Sequence, residues 1–129
     1  MKKRLALIIG SILLSIYLCF AGSPESILTA IKMGDADKLS EFFDTNVDLK
    51  ILEKENIYSK SQATILVKDF FKNYKPSSLN LSHEGGPENA HFAICNLIAG
   101  QGKFRVYFLY KIINGKSLIQ KFRIEKDGQ

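Results

Sequence analysis

The stretch that decides the fold is Lys103–Lys126, KFRVYFLYKIINGKSLIQKFRIEK. Aromatic and β-branched residues alternate with other types from Phe104 to Tyr110 and again from Leu118 to Ile124. That is the period-two pattern of sheet strands, and Asn114-Gly115 stands between them as a turn. Asn-Gly usually closes a two-residue loop. In that register Phe108 faces Lys121 and Val106 faces Arg123, which mixes apolar and charged residues on both faces. A three-residue loop, Asn114 to Lys116, instead sets Tyr110 against Gln120, Phe108 against Phe122 and Val106 against Ile124. A slip of one residue exchanges the two faces of a strand, so the cleaner segregation selects the longer loop, with Gly115 at a positive φ. One face is then apolar. The other holds Arg105, Tyr107, Leu109, Ile119, Lys121 and Arg123. It is served equally by basic stems lying over apolar neighbours and by an oligomer contact or pocket rim.

Upstream, the apolar and polar residues recur at a different period. Ser23-Pro24-Glu25 has the pattern of a capped helix start with proline in its first turn, and Ile27, Leu28 and Ile31 follow at helical spacing until Gly34. Asp35 caps a second short helix with Ala36, Leu39, Phe42 and Phe43 on its buried side. Asp35 and Asp37 therefore have helix-terminal duties and are not read as an acid–base pair or a metal site. Val47, Leu49 and Ile51 alternate as a strand, Glu53 to Asn56 form a turn, and Ile57-Tyr58 a short strand. Ser59 and Gln62 make a capping box for a third helix with the stripe Ala63, Leu66, Val67, Phe70 and Tyr74. Pro76 stops it. Leu79 and Leu81 alternate into His83, Gly85-Gly86-Pro87 turn the chain, and Ala90 to Ala99 is a strand with apolar residues on both faces. Helices segregated ahead of an antiparallel sheet give the α+β class.

The N-terminus bounds the compartment. Met1-Lys2-Lys3-Arg4 is basic, Leu5 to Phe20 is apolar, and small residues follow Cys19-Phe20. The run is shorter than the roughly 20 residues of a membrane-spanning helix, so residues 1–21 are expected to be a secretory signal peptide. Leu18 before Cys19 speaks against a lipoprotein signal. Residues 22–129 then form one domain, exported to the periplasm or beyond the cell, with no membrane contact after cleavage. The formal net charge of +5 includes Lys2, Lys3 and Arg4. Without them it falls to about +2, too weak and too interspersed to mark a nucleic-acid partner. Cys95 is left alone inside an apolar strand, where a buried inert thiol is expected.

The segment Gly34-Asp35-Ala36-Asp37-Lys38-Leu39 with Phe42-Phe43 and Val47, together with the element order, resembles the nuclear transport factor 2-like superfamily. Ile57-Tyr58-Ser59-Lys60-Ser61-Gln62-Ala63, Asp69-Phe70-Phe71, His83-Glu84-Gly85, Phe104-Arg105-Val106-Tyr107-Phe108 and Leu118-Ile119-Gln120 resemble a family of small exported bacterial proteins known only as a domain of unknown function. These stretches span nearly the whole chain after residue 21. The resemblance implies a cone: three helices packed on a curved antiparallel sheet, with a cavity between them and dimers through the outer sheet face.

No motif of established chemistry is present. Gly85-Gly86-Pro87 and Gly100-Gln101-Gly102 lie between strands rather than before a helix, so they are not phosphate loops. His83 and His91 have no ligand-spaced partners, and no metal or cofactor is expected. His91 is expected to be exposed near a strand start. In cone-fold isomerases and dehydratases, the resemblance implies a cavity carboxylate or histidine that removes a proton beside a carbonyl, helped by a tyrosine. Asp48 and His83 are the candidates for that catalytic role. Tyr58, His83, Arg105 and Tyr107 are the candidates for ligand binding, although an Arg105–Glu125 pair would account for Arg105 without a ligand. The reading favoured by the sequence is a non-catalytic module that binds a small apolar or amphipathic ligand or a protein. A homodimer through the outer sheet is a further expectation. The alternative is a cofactor-free lyase or isomerase with Asp48 or His83 as general base.

Overall fold

The computed structural model describes residues 24–128. The expected signal peptide, its cleavage site, Cys19 and Ser23 lie outside the described residues. The chain runs α1 (Glu25–Met33), α2 (Ala36–Ser40), β1 (Phe43–Ile51), β2 (Lys54–Ser59), α3 (Lys60–Asn73), β3 (Pro76–Gly85), β4 (His91–Ala99), β5 (Gly102–Ile113) and β6 (Lys116–Lys126). This is the α+β order expected from the sequence. The strands form one sheet in the order β2-β1-β6-β5-β4-β3. Every neighbouring pair is antiparallel except β1 with β6, which run parallel.

Local chemistry sets the helix ends. Pro24 occupies the N-cap position of α1 rather than its first turn, and the helix closes on Gly34 at φ 65°. Only glycine takes that conformation readily, and here a Cβ would also come within 3.0 Å of the Pro76 ring. The Asp35 carboxylate accepts from the Lys38 N–H at 3.0 Å and starts α2. The Ser59 hydroxyl accepts from the Gln62 N–H at 3.3 Å and starts α3. Each such cap is worth about 1 kcal/mol. Phe43, expected on α2, instead opens β1 and pairs with Ile119.

Alternation then sorts the sheet. Val47, Leu49, Ala93, Cys95, Phe104, Val106, Phe108, Ile119, Phe122 and Ile124 turn to one side and are buried. The facing side of α3 supplies Ala63, Val67, Phe70 and Phe71. Aromatic rings fill the space between them. Phe70 stacks on Tyr74 with centroids 5.0 Å apart, and both meet Phe104 edge-on at 5.2 and 5.1 Å. Phe122 lies 6.0 Å from Phe43 and 6.4 Å from Phe108. Aromatic rings thus take up space between α3 and the sheet, where the resemblance implies a cavity.

The hairpin resolves the conflict between its turn and its faces. Ile113 pairs with Lys116, so the loop is the two-residue Asn114-Gly115, and both residues have positive φ, 52° and 76°. The three-residue loop expected from the sequence is therefore not what forms. Farther from the turn, Phe108 pairs with Phe122, Val106 with Ile124 and Arg105 with Glu125, as facial segregation requires. The register shift between Leu109 and Tyr110 reconciles the two. Leu109 faces Lys121, Tyr110 faces Ile119, and Gln120 is the extra residue of a β-bulge. Ile119 is consequently fully buried, not a member of the mixed face.

Candidate functional site

The outer face of the sheet carries the side chains that the core does not use. Ile94 on β4, Arg105 and Tyr107 on β5, and Lys121, Arg123 and Glu125 on β6 line a shallow recess of about 310 Å³. Register brings them together, since Tyr107 stands between Ile94 and Arg123 on the neighbouring strands. Leu109 and Phe92, paired with each other, continue the same surface.

Ion pairs frame the recess. Lys50 bonds Glu125 at 2.9 Å, Arg123 bonds Glu55 at 3.2 Å, and Lys121 lies 3.7 Å from Asp48. The hydrogen bond from Lys50 to Glu125, and then the charge of that carboxylate, hold the Lys50 ammonium above its ordinary pKa. The expected Arg105–Glu125 pair does not form although the two residues are opposite in register. The parallel neighbour β1 places Lys50 beside Glu125, and Lys50 takes the carboxylate. Arg105 is exposed and has no acidic partner among the described residues. The Nε of Arg123 is covered and also finds no acceptor.

The other sequence candidates are scattered. Asp48 lies on β1 and His83 on β3, at opposite sides of the sheet with three strands between them. Four strand spacings of about 4.8 Å separate them by roughly 19 Å. His83 would follow Leu79 and Leu81 onto the inner face, but a bulge at Ser82 turns it outward opposite Ile94. There its Nδ1 lies 2.7 Å from the Ser82 hydroxyl, and the ring is exposed. Tyr58 pairs with Val47 and packs against the core on the inner side. Of the four ligand-binding candidates, Arg105 and Tyr107 share the recess. His83 is near its far edge and Tyr58 is on the wrong face.

Two features escaped the sequence reading. His91, expected exposed, stacks on Tyr110 at 5.2 Å and 17°, with its Nε2 covered and unpartnered. Burial, and then the charge of Glu84, push the Tyr110 hydroxyl up. His91 and Tyr110 face each other across β4 and β5 at the end away from the Gly100-Gln101 turn, a pairing that no local pattern records. A second depression of about 280 Å³ lies between the β1–β2 turn and the end of α3, lined largely by Ile51, Leu52, Leu66, Phe70 and Tyr74. Leu52 there has φ 56°, a strained value for leucine, and nothing in Leu52-Glu53 announces such a tight turn. Among the described residues, no three His, Cys, Asp or Glu side chains stand together in a metal-binding group.

Cys95 is fully buried, as expected, and burial followed by the charge of Glu84 pushes its thiol up to about 11. His91, four residues away on the same strand, is about 13 Å distant and cannot activate it. A thiol reagent at pH 8 should therefore label Cys95 only as the protein unfolds. The neutral thiol is the favoured folded form, so its contribution to stability is intact below pH 9 and is lost as pH rises towards 11. Rapid labelling of the native protein would contradict the placement.

The family model for a domain of unknown function, DUF4783, matches residues 24–125. Among curated proteins none matches the chain. A crystal structure of a DUF4783 family protein from Bacteroides uniformis is 30% identical with a TM-score of 0.77, covering 84% of this chain and 100% of that one. One from Bacteroides ovatus is 29% identical, also at 0.77, covering 84% and 99%. A candidate dehydratase from the nuclear transport factor 2-like family of Streptomyces avermitilis is 10% identical at 0.62, covering 81% and 91%, and shows the shared fold alone.

Proposed function

The chain belongs to the DUF4783 family and has a nuclear transport factor 2-like fold, and we propose that it is a non-catalytic interaction module working through the outer face of its sheet. The observation that carries this reading is a partly apolar outer sheet surface opposite an inner face packed with aromatic rings. Phe92, Ile94, Tyr107 and Leu109 are only half-buried, and Ile98 on the same face is 43% exposed. A surface of this kind, rimmed by charges, suits a protein contact. The basic, apolar and small-residue succession of residues 1–21 supports a site of action in the periplasm or outside the cell. The lyase or isomerase alternative needs a base and a tyrosine in one cavity; Tyr58 is on the inner face, Asp48 is paired with Lys121, and His83 and Tyr107 are two strands apart on the open outer face.

Substituting Leu109 with Asp tests the reading. The native protein purified from its own host should carry a bound polypeptide or second copy in native mass spectrometry. Leu109→Asp should remove that species at unchanged far-ultraviolet circular dichroism, with a cooperative melt whose Tm falls by about 10 °C or less. Retention of the species by the folded variant would overturn the assignment to this face. The apolar depression beside Leu52 favours a second reading, a small apolar ligand. That reading requires a retained small molecule that Leu66→Glu releases and Leu109→Asp does not.

A further inference from the structure

We propose that the recess between Arg105, Tyr107 and Arg123 is a binding site for a carboxylate of an acidic polypeptide partner. The inference rests on the reading of the outer face as an interaction surface and adds the chemistry of what it meets.

The charges of the recess can be followed one by one. Lys121 is matched by Asp48, Arg123 by Glu55, and Glu125 by Lys50. Arg105 is left over, with no acidic partner among the described residues. A guanidinium is charged at every physiological pH and presents a planar fork that fits a carboxylate through two parallel hydrogen bonds. The neighbouring Tyr107 adds a phenol that makes no hydrogen bond of its own among the described residues, and Ile94 supplies an apolar wall. One surplus positive charge calls for one negative charge. A phosphate dianion would bring a second charge close to Glu125, whereas a single carboxylate balances the site. The same surplus argues against a second copy of the chain, since an isologous contact would set two positive recesses near each other.

The test is a titration of the isotopically labelled protein followed by backbone amide shifts. The probe is a capped hexaglutamate peptide, with capped hexalysine and inorganic phosphate as comparisons. Hexaglutamate should shift amides around Ile94, Arg105, Tyr107 and Arg123. Arg105→Gln, a change at an exposed position, should weaken binding by about fivefold or more, while Lys116→Gln at the hairpin tip should change it by less than about twofold. Raising the salt to about 0.5 M should weaken it in the same sense. The proposal fails if hexaglutamate leaves these amides unmoved, or if hexalysine moves them as much. It fails equally if Arg105→Gln and Lys116→Gln behave alike, or if phosphate binds the same residues as tightly as the peptide. The two readings separate cleanly. Loss of a partner in Leu109→Asp without Arg105-dependent peptide binding keeps the interaction face and removes its acidic ligand. Arg105-dependent peptide binding with the native partner retained in Leu109→Asp does the reverse.

Discussion

Replacing Phe122 with alanine should lower the unfolding free energy by about 3–5 kcal/mol, measured by urea denaturation. The ring is fully buried and sits at the centre of the inner sheet face, edge-on to Phe43 at 6.0 Å and stacked against Phe108 at 6.4 Å. Truncation removes the transfer free energy of the ring and leaves a hole that strands on both sides hold open. A domain of this size has a total stability of roughly 5–15 kcal/mol, so the variant should be close to its folding limit. The outer face supplies the contrast, because Leu109→Ala on that side removes a half-buried side chain and should cost about 1 kcal/mol or less. A loss below about 1 kcal/mol for Phe122→Ala would mean that the interior is not the packed core described above. It would reopen the inner face as a place for a ligand, which makes this stability measurement informative about function.

The split between the two faces also marks how far the sequence could be read. Alternation, capping residues and the stripe on α3 are local signals, and each reports on a structure made by residues near one another in the chain. They give the α+β order, the caps at Asp35 and Ser59, and the buried positions Val47, Phe70, Cys95 and Phe122. The recess is half legible for the same reason, since Arg105 and Tyr107 alternate with core residues on one strand. What the sequence hides is non-local or depends on one irregular residue. Lys50 captures Glu125 because β1 lies parallel beside β6, a neighbour relation that no short-range pattern records. His83 changes face because of a bulge at Ser82, and one bulge reverses every later side chain on that strand. The role of Asp48 as the partner of Lys121 follows from the same parallel pairing.

The hairpin permits a sharper test of the bulge, because two single-residue deletions in β6 should have opposite consequences. Removing Gln120 closes the ladder without moving any other residue to a new partner. Ile119 stays opposite Tyr110, Lys121 opposite Leu109, and the two-residue turn at Asn114-Gly115 is kept. This deletion should change stability by about 1 kcal/mol or less, because an extra, partly exposed residue is lost and the core is retained. Removing Ile119 leaves a hairpin of the same length, but Gln120 must now take the inner position opposite Tyr110. That exchange loses a fully buried isoleucine, worth about 1.5–3 kcal/mol. It also sets an amide among Phe108, Tyr110 and Phe122 with no partner in reach, at a further cost of about 1–3 kcal/mol. The expected loss is about 3–5 kcal/mol, with urea midpoints well separated from those of the Gln120 deletion. Equal costs for the two deletions would show that the faces near the turn are not set by the bulge. The mixed outer surface from which the Arg105 recess is built would then need a different origin.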